Sequence, residues 1–282
     1  MISYFQAIVL GLLQGFSELF PISSLGHSVL IPALFGWRIE RSSDEFTAFL
    51  VLTHLATALV LLGFFWRDWL GIVGGIIRSL KQRQIRADDV PGKLGWLLVV
   101  STIPAGLLGL LFEERLQQLF AAAALVAVAL MLNGVMLYLV EVLRARGAPE
   151  GRPDDTKLAG LSWTQATMIG VTQCLALVPG FSRTGLTMGG GLLCGLSHEN
   201  AVRYSFLLAT PIILAAAVLK VPDLFANGGT GVGQAVVGAG CAAATAFLSV
   251  RFLLKYFETD TLKPFAFYCF GAGAAALVYL RL

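Results

Sequence analysis

Six apolar runs, each close to the length that crosses a membrane, most constrain what this chain can fold into. They cover residues 46–66, 94–112, 119–142, 199–219, 231–254 and 264–282. A helix needs about 20 apolar residues to cross the hydrocarbon core of a bilayer. Only 13% of the 282 residues are charged, whereas a soluble domain carries about 25%. We therefore predict an all-α integral membrane protein, with residues 1–282 forming a single membrane domain.

Lysine and arginine concentrate in two connections, 67–93 and 143–160. Loops rich in these residues stay in the cytoplasm, so the link 113–118 and both chain termini are expected on the outer side. Residues 67–80 mix basic and apolar side chains, which is typical of an amphipathic helix at the membrane surface. The N-terminus lacks a basic segment and a cleavage site of small residues, so we expect no removable signal peptide.

The second half of the chain repeats the first. With a constant offset, SYFQAIVLGLLQGFSELFPISSLG (3–26) aligns with SWTQATMIGVTQCLALVPGFSRTG (162–185). The shared residues are Ser3/Ser162, Gln6/Gln165, Ala7/Ala166, Gly11/Gly170, Gln14/Gln173, Ser23/Ser182 and Gly26/Gly185. Polar residues and glycines are scarce in an apolar chain, so their pairing indicates a duplication. We predict a first repeat over residues 1–142 and a second over 143–282.

Each predicted repeat opens with two short apolar pieces that break at Pro21 or Pro179. These pieces are too short to cross the membrane, which favours a re-entrant helical hairpin followed by three full spans. Three is an odd number, so the second repeat enters from the opposite side. The prediction is an inverted-topology repeat with six full transmembrane helices and two re-entrant hairpins, the first entering from outside. Such repeats bind their ligands near the midplane, where the hairpin tips meet.

The first tip carries Gln14, Glu18, Ser23, Ser24 and His27 among its polar side chains, in the stretch QGFSELFPISSLGH (14–27). Ionisable groups at membrane depth are costly and usually mark function. Gln14 and Glu18 lie four residues apart on one helix face. Ser23 or Ser24 can cap the following helix, and Ser24 lies within reach of His27, which could act as its base. Glu18 could orient His27 or hold a divalent cation.

A structural interpretation also fits each of these residues alone. Ser23 could serve only as a helix cap, His27 could be a packed imidazole, and Glu18 could simply pair with an arginine. His54, within the run 46–66, is interpreted as packing or lining a cavity. The cluster as a whole favours function, because a cap requires neither a carboxylate nor an imidazole beside it.

The second tip reads PGFSRTGLTMGGG (179–191). The planar guanidinium of Arg183 matches phosphate oxygens in bidentate fashion. Ser182 or Thr184 can cap a helix whose N-terminus also favours an anion, and Gly185 allows close backbone approach. Glycines 189–191 fit helix packing in lipid equally well. Together the two tips suit phosphoryl transfer, and a site within the bilayer implies a phosphate carried by a lipid.

Both stretches resemble the signature regions of the bacterial undecaprenyl-diphosphate phosphatases of the bacitracin-resistance (BacA/UppP) family. The resemblance covers most of the chain, including the positions of the apolar runs. It implies hydrolysis of undecaprenyl diphosphate to undecaprenyl phosphate and inorganic phosphate, which recycles the lipid carrier for peptidoglycan and confers bacitracin resistance. It also implies a multi-pass protein of the bacterial cytoplasmic (inner) membrane with its active site open to the outer, periplasmic side.

Residue roles follow from the resemblance position by position. It implies Ser24 as the nucleophile or its close partner, His27 as the base and Arg183 as the clamp on the diphosphate. Glu18 and Gln14 fall on the positions that support a divalent cation, Mg²⁺ or Ca²⁺. Gln14 stands where many members carry Glu, and Leu25 where Thr is usual. Substrate contacts are expected from Ser23, Ser182, Thr184, Thr187 and Gly185.

A transporter or flippase for a lipid phosphate is the alternative from another class, because the same inverted repeat would suit it. The expected Ser24–His27 pair argues for the enzyme, since transport needs no nucleophile with a base. A type-2 phosphatidic acid phosphatase is excluded, because His198 lacks that family's accompanying motif. We expect undecaprenyl diphosphate in the bilayer as the partner and no nucleic acid. The sequence leaves open whether the chain forms a homodimer.

Overall fold

The computed structural model describes residues 2–39, 43–86, 88–112, 122–144, 155–226, 231–259 and 261–281. Within these ranges the chain forms twelve α-helices and one 3₁₀ turn, Leu175–Leu177. The helices are α1 (Tyr4–Ser17), α2 (Ser24–Leu34), α3 (Asp44–Phe64), α4 (Trp66–Gln82), α5 (Val90–Leu111), α6 (Ala123–Arg144), α7 (Asp155–Ala159), α8 (Trp163–Cys174), α9 (Arg183–Leu193), α10 (His198–Ala226), α11 (Val232–Tyr256) and α12 (Lys263–Arg281). The predicted outer link 113–118 and residues 145–154 lie outside the described residues.

Five helices are long and apolar enough to cross a membrane: α5, α6, α10, α11 and α12. A sixth span is counted if α3 and α4 are taken together, although the chain bends by 84° between them. The prediction of an all-helical, multi-pass membrane protein is therefore confirmed. Many large apolar side chains on the outer faces are exposed, among them Leu107, Leu111 and Leu143, as expected for helices that contact lipid.

The bend at Phe65 turns α4 away from α3. Helix α4 is strongly amphipathic: Leu70, Val73 and Ile77 form an exposed apolar stripe, and Ile72 is buried. This agrees with the prediction of an amphipathic helix over residues 67–80, whereas its place at the membrane surface stays a prediction. A charged face beside an apolar face is what a helix lying in the interface requires.

Two pairs of short helices begin in the same way. Ser3 and Gln6 form a capping box at the start of α1, and Ser162 and Gln165 form another at the start of α8. The four helices α1, α2, α8 and α9 have 14, 11, 12 and 11 residues. None of them is long enough to cross a core about 30 Å thick, because each residue adds only about 1.5 Å. The chain breaks after α1 and after α8, near the prolines, and the re-entrant path of each pair stays a prediction.

The two halves pack against each other in reciprocal pairs. Helix α1 of the first half packs along α11 of the second half, and α8 of the second half packs along α5 of the first. Helix α6 of the first half also packs along α12 of the second. A side chain at Gly11 would clash with the carbonyl of Gly238 in α11, and one at Gly170 would clash with that of Ser101 in α5. Glycine is therefore needed at equivalent positions of the two short helices, so that each can approach a long helix of the other half closely.

Candidate active site

The two chain breaks interlock at Ser23. Its hydroxyl oxygen accepts hydrogen bonds from the N–H groups of Gly26, at 3.1 Å, and of Gly180 in the other half, at 3.2 Å. Its φ angle is 70°, in a region that favours glycine and costs another residue about 1–3 kcal/mol. Backbone strain of this kind persists where surrounding contacts fix the conformation, and it clusters at functional sites.

Asn133 joins the two breaks from the middle of α6. Its amide nitrogen donates to the carbonyl of Pro21 at 3.1 Å, and its amide oxygen accepts from the N–H of Ser182 at 3.0 Å. The side chain is fully buried. Asn133 was not among the residues predicted from the sequence, although an amide within an apolar run was a usable signal. Asn133 thus holds both tips in register.

A cavity of about 290 Å³ lies where the tips meet. Its walls come from both tips and from α3, α5 and α10, and most of them are apolar. The polar part is formed by Ser17, Glu18, Ser23, Ser24, Thr47, His54, Gln173, Ser182 and Arg183. A mostly apolar cavity with a few convergent polar groups is typical of a ligand-binding site.

Glu18 is the centre of this polar part and is almost fully buried. One carboxylate oxygen accepts hydrogen bonds from the Ser24 hydroxyl and, at 3.0 Å, from the amide of Gln14. The other oxygen accepts from the guanidinium of Arg183, which also donates to the Ala209 carbonyl at 3.2 Å. The predicted residues Gln14, Glu18, Ser24 and Arg183 are therefore in one constellation, although two halves of the chain supply them.

His54 makes a further contact with Glu18. Its Nδ1 faces the Leu50 carbonyl at 2.7 Å, and its Nε2 faces Glu18 Oε2 at 3.1 Å. Both neighbours are acceptors, so an imidazolium that donates from both nitrogens satisfies both contacts. The interpretation of His54 as lining a cavity agrees with the geometry, but its contact with Glu18 was missed. An ionisable residue inside an apolar run was the available signal.

The His27 ring does not make the expected contact with Ser24. Its Nδ1 donates to the Ser23 carbonyl at 2.7 Å, and its Nε2 accepts from the Tyr268 hydroxyl at 2.8 Å. The ring stacks on Tyr268 of α12 with centroids 5.8 Å apart. The Ser24 hydroxyl meanwhile donates to Glu18. The expected Ser24–His27 contact is therefore corrected to a Ser24–Glu18 contact, because Tyr268 and the Ser23 carbonyl already engage both ring nitrogens.

The expected substrate-contacting residues divide into two groups. Ser23 and Ser182 line the cavity and cap α2 and α9. Thr184 donates to the Glu18 carbonyl at 2.9 Å, and Thr187 donates to the Arg183 carbonyl at 2.9 Å. Gly185, Thr184 and Thr187 are buried but are not among the residues that line the cavity. In this structure they support the turn that carries the guanidinium.

Helices α2 and α9 both start at the cavity, at Ser24 and Arg183. The first N–H groups of a helix have no partner within the helix, and the helix dipole is positive at that end. Both features attract anions such as phosphate. Two helix starts, a guanidinium and the His54 ring thus surround Glu18, the only carboxylate among the described residues that line the cavity.

A resident divalent cation fits these residues poorly. Arg183, His54, Ser24 and the Gln14 amide already engage the Glu18 oxygens. Within the described part of the chain no three His, Cys, Asp or Glu side chains cluster as a metal site would require. Mg²⁺ and Ca²⁺ prefer oxygen ligands that include carboxylates. The prediction of Mg²⁺ or Ca²⁺ at Glu18 and Gln14 therefore gains no support from the positions of these side chains and stays a prediction.

Comparison with known proteins identifies the family. The family described as "Bacitracin resistance protein BacA" matches residues 7–275, which include both tips. The chain is 48% identical to an undecaprenyl-diphosphatase of Mycolicibacterium paratuberculosis, over 100% of this chain and 98% of the relative. It is 45% identical to an undecaprenyl-diphosphatase of Granulibacter bethesdensis, over 98% of this chain and 96% of the relative.

An undecaprenyl-diphosphatase 2 of Burkholderia orbicola is 44% identical, again over 98% of this chain and 96% of the relative. The matches therefore extend across both halves and are not confined to the tip motifs. The tips that interlock at Ser23 lie within a match of nearly full length, and the chain belongs to the BacA bacitracin-resistance family.

Proposed function

We propose that this chain hydrolyses undecaprenyl diphosphate to undecaprenyl phosphate and inorganic phosphate. The observation that carries the proposal is the Ser24 hydroxyl bonded to Glu18, which Arg183 of the other half also contacts, in one buried cavity. The names of the relatives support the same substrate. The reaction recycles the lipid carrier for peptidoglycan and underlies the bacitracin resistance that names the family.

Binding comes first. The terminal phosphate enters at the starts of α2 and α9, where free N–H groups and the Arg183 guanidinium accept its charge. Arg183 keeps one N–H on Glu18 and another on the Ala209 carbonyl, and it presents its remaining donors to the phosphate. The prenyl chain follows the apolar walls from α3, α5 and α10. Positioning and charge stabilisation supply most of the catalysis of phosphoryl transfer, so this arrangement supplies the larger part of the rate enhancement.

The transfer then uses Ser24. Its Oγ attacks the terminal phosphorus, the bond from that phosphorus to the bridging oxygen breaks, and undecaprenyl phosphate leaves. The hydroxyl proton passes to Glu18, which already accepts the hydrogen bond. Water next attacks the phosphoserine, and its oxygen joins the phosphorus while the bond to Oγ breaks. Glu18 returns its proton to Ser24, takes one from the water and releases it to solvent.

His54 positions the Glu18 carboxylate. With Arg183 on one carboxylate oxygen and His54 on the other, Glu18 stays ionised and points at Ser24. A buried carboxylate without such partners would be strongly disfavoured in its charged form.

The fold adopts the inverted-topology arrangement in this proposal, with re-entrant hairpins at α1/α2 and α8/α9. Reciprocal packing of the halves and the matching capping boxes support it. The basic connection 67–93 supports a cytoplasmic position for the surface helix α4. The cavity then opens toward the outer side of the bacterial cytoplasmic membrane, where spent undecaprenyl diphosphate is released.

Transport of a lipid phosphate is the second candidate. Half-helices that begin at a buried cavity also occur in carriers, where their N-termini hold anionic groups. The hydrogen bond from Ser24 to Glu18 favours hydrolysis, because a carrier needs binding groups but no nucleophile with a proton acceptor. The two candidates therefore differ in whether the phosphate anhydride bond is broken.

Phosphate release from undecaprenyl diphosphate by the purified protein in detergent distinguishes them. We expect turnover by the wild type that collapses in both Ser24→Ala and Arg183→Ala. Ser28→Ala is the matched control, because it removes a buried hydroxyl that does not line the cavity. A wild type that binds the lipid without releasing phosphate would favour transport. Retained activity in Ser24→Ala would make Ser23 or water the attacking group.

A further inference from the structure

The two tips share a glutamine, but they differ at the position one helical turn after it. In the repeat alignment Gln14 corresponds to Gln173, but Glu18 corresponds to Leu177. The Gln14 amide therefore finds a carboxylate acceptor at 3.0 Å. Gln173 has an apolar residue in the equivalent place and no such acceptor.

Gln173 is nevertheless buried at the cavity. Only 1% of its surface is exposed, and it lines the same cavity as Glu18, Ser24 and Arg183. Within the described residues neither its amide nitrogen nor its amide oxygen has a hydrogen-bond partner. The great majority of buried polar side-chain atoms in proteins do have partners, so each exception calls for an explanation.

Burying an unpaired amide destabilises a protein, and leucine would fill similar space without that cost. A ligand that brings its own acceptors removes the conflict. A diphosphate presents several charged oxygens, and hydrogen bonds to charged acceptors are stronger than neutral ones. The missing partner of the Gln173 amide therefore has the chemistry of a phosphate oxygen.

We propose that Gln173 is a substrate-binding residue whose amide N–H donates to an oxygen of the diphosphate. The inference rests on the proposed function, because that function puts a diphosphate in the cavity. Each tip then contributes one glutamine: Gln14 orients the carboxylate, and Gln173 binds the substrate. The two equivalent glutamines therefore differ in role, because the first tip has Glu18 where the second tip has Leu177.

Gln173→Leu separates this role from a structural one. No hydrogen bond within the protein is lost, so the melting temperature is expected to stay the same or rise. We expect kcat/KM for undecaprenyl diphosphate to fall by roughly 10- to 100-fold, the value of one hydrogen bond to a charged group. Gln173→Glu is expected to lose more, because a carboxylate would repel the phosphate. Ser28→Ala, which also removes a buried polar atom without a partner, is expected to leave kcat/KM unchanged.

Direct binding keeps this test independent of turnover. In the Ser24→Ala background the dissociation constant for undecaprenyl diphosphate is measured with and without Gln173→Leu, and an increase of roughly 10-fold or more is expected. An unchanged dissociation constant, or a lower melting temperature with full kcat/KM, would overturn the role of Gln173. A wild type without turnover would instead refute the proposed hydrolysis, and the binding comparison would still decide this inference.

Discussion

The two tips share one framework and carry different chemistry. Both start with the same capping box, break at a proline and restart at a serine cap. At equivalent positions the first tip has Glu18 and Ser24, whereas the second has Leu177 and Arg183. A symmetric site would hold two carboxylates that repel each other or two guanidiniums without counter-charge. In the proposed mechanism, the different residues of the two tips supply a nucleophile and its proton acceptor from one half and the anion clamp from the other.

Replacing Glu18 with leucine makes the first tip resemble the second and is expected to have the largest effect. Phosphate release should fall by roughly 100- to 10,000-fold, because Ser24 loses its proton acceptor. The free energy of unfolding should also fall, by at most about 3–5 kcal/mol, since Arg183 becomes a partly buried charge without its carboxylate partner. Activity and denaturant unfolding in detergent measure the two effects. Leu177→Met at the equivalent position is the control, and an equal loss there would refute the division of roles.

Arg183→Lys tests the chemistry of the second tip. Lysine keeps the positive charge but loses the planar fork, so it cannot hold Glu18 and a phosphate with the same geometry. We expect kcat/KM to fall by roughly 10- to 100-fold, the value of one charge-assisted hydrogen bond. Wild-type kinetics in Arg183→Lys would mean that only the charge matters.

His27→Gln distinguishes a base from a structural support within the first tip. Because His27 bonds the Ser23 carbonyl and Tyr268, we expect a lower melting temperature and less than about 10-fold loss of kcat, whereas loss of a general base costs about 100- to 10,000-fold. Tyr268→Phe removes one of the same hydrogen bonds and should give a similar, smaller fall in melting temperature. A collapse of kcat in His27→Gln with unchanged stability would instead support the prediction that His27 is the general base.

Asn133→Leu is expected to act mainly on the connection between the tips. It leaves the Ser182 N–H without its partner and the Pro21 carbonyl with only the Cys269 thiol at 3.7 Å. An unsatisfied buried group costs about 1–3 kcal/mol. Chemical denaturation measures the loss of stability. Leu132→Ala, on the exposed side of the same helix, is the matched control and should change stability much less. Equal effects of the two substitutions would contradict the bridging role.

The helices could be predicted well because their signals are local. The run 46–66 corresponds to α3 at Asp44–Phe64, and the surface helix 67–80 to α4 at Trp66–Gln82. The prolines marked both breaks. The gathering of Glu18, Ser24 and Arg183 also followed from the repeat, because equivalent hairpins bring their tips together. Inverted topology and the side of the membrane stay predictions.

The remaining part of the site depends on contacts between distant residues. His27 turns away from Ser24 because Tyr268 meets it from α12, and nothing near His27 in the sequence indicates this. His54, Asn133 and Gln173 were visible as polar residues in apolar segments. Which of them contacts the carboxylate, the backbone or the cavity is decided by the packing of α3 and α6 around the tips.

A double-mutant cycle between Ser24→Ala and Arg183→Ala tests most directly whether the two tips form one catalytic site. The quantity is kcat/KM for phosphate release from undecaprenyl diphosphate by the wild type, both single variants and the double variant. Residues that act as a unit are strongly non-additive, so the double variant should lose little more than the worse single variant. Losses that multiply would show that Ser24 and Arg183 act independently and would contradict a site shared by the two halves.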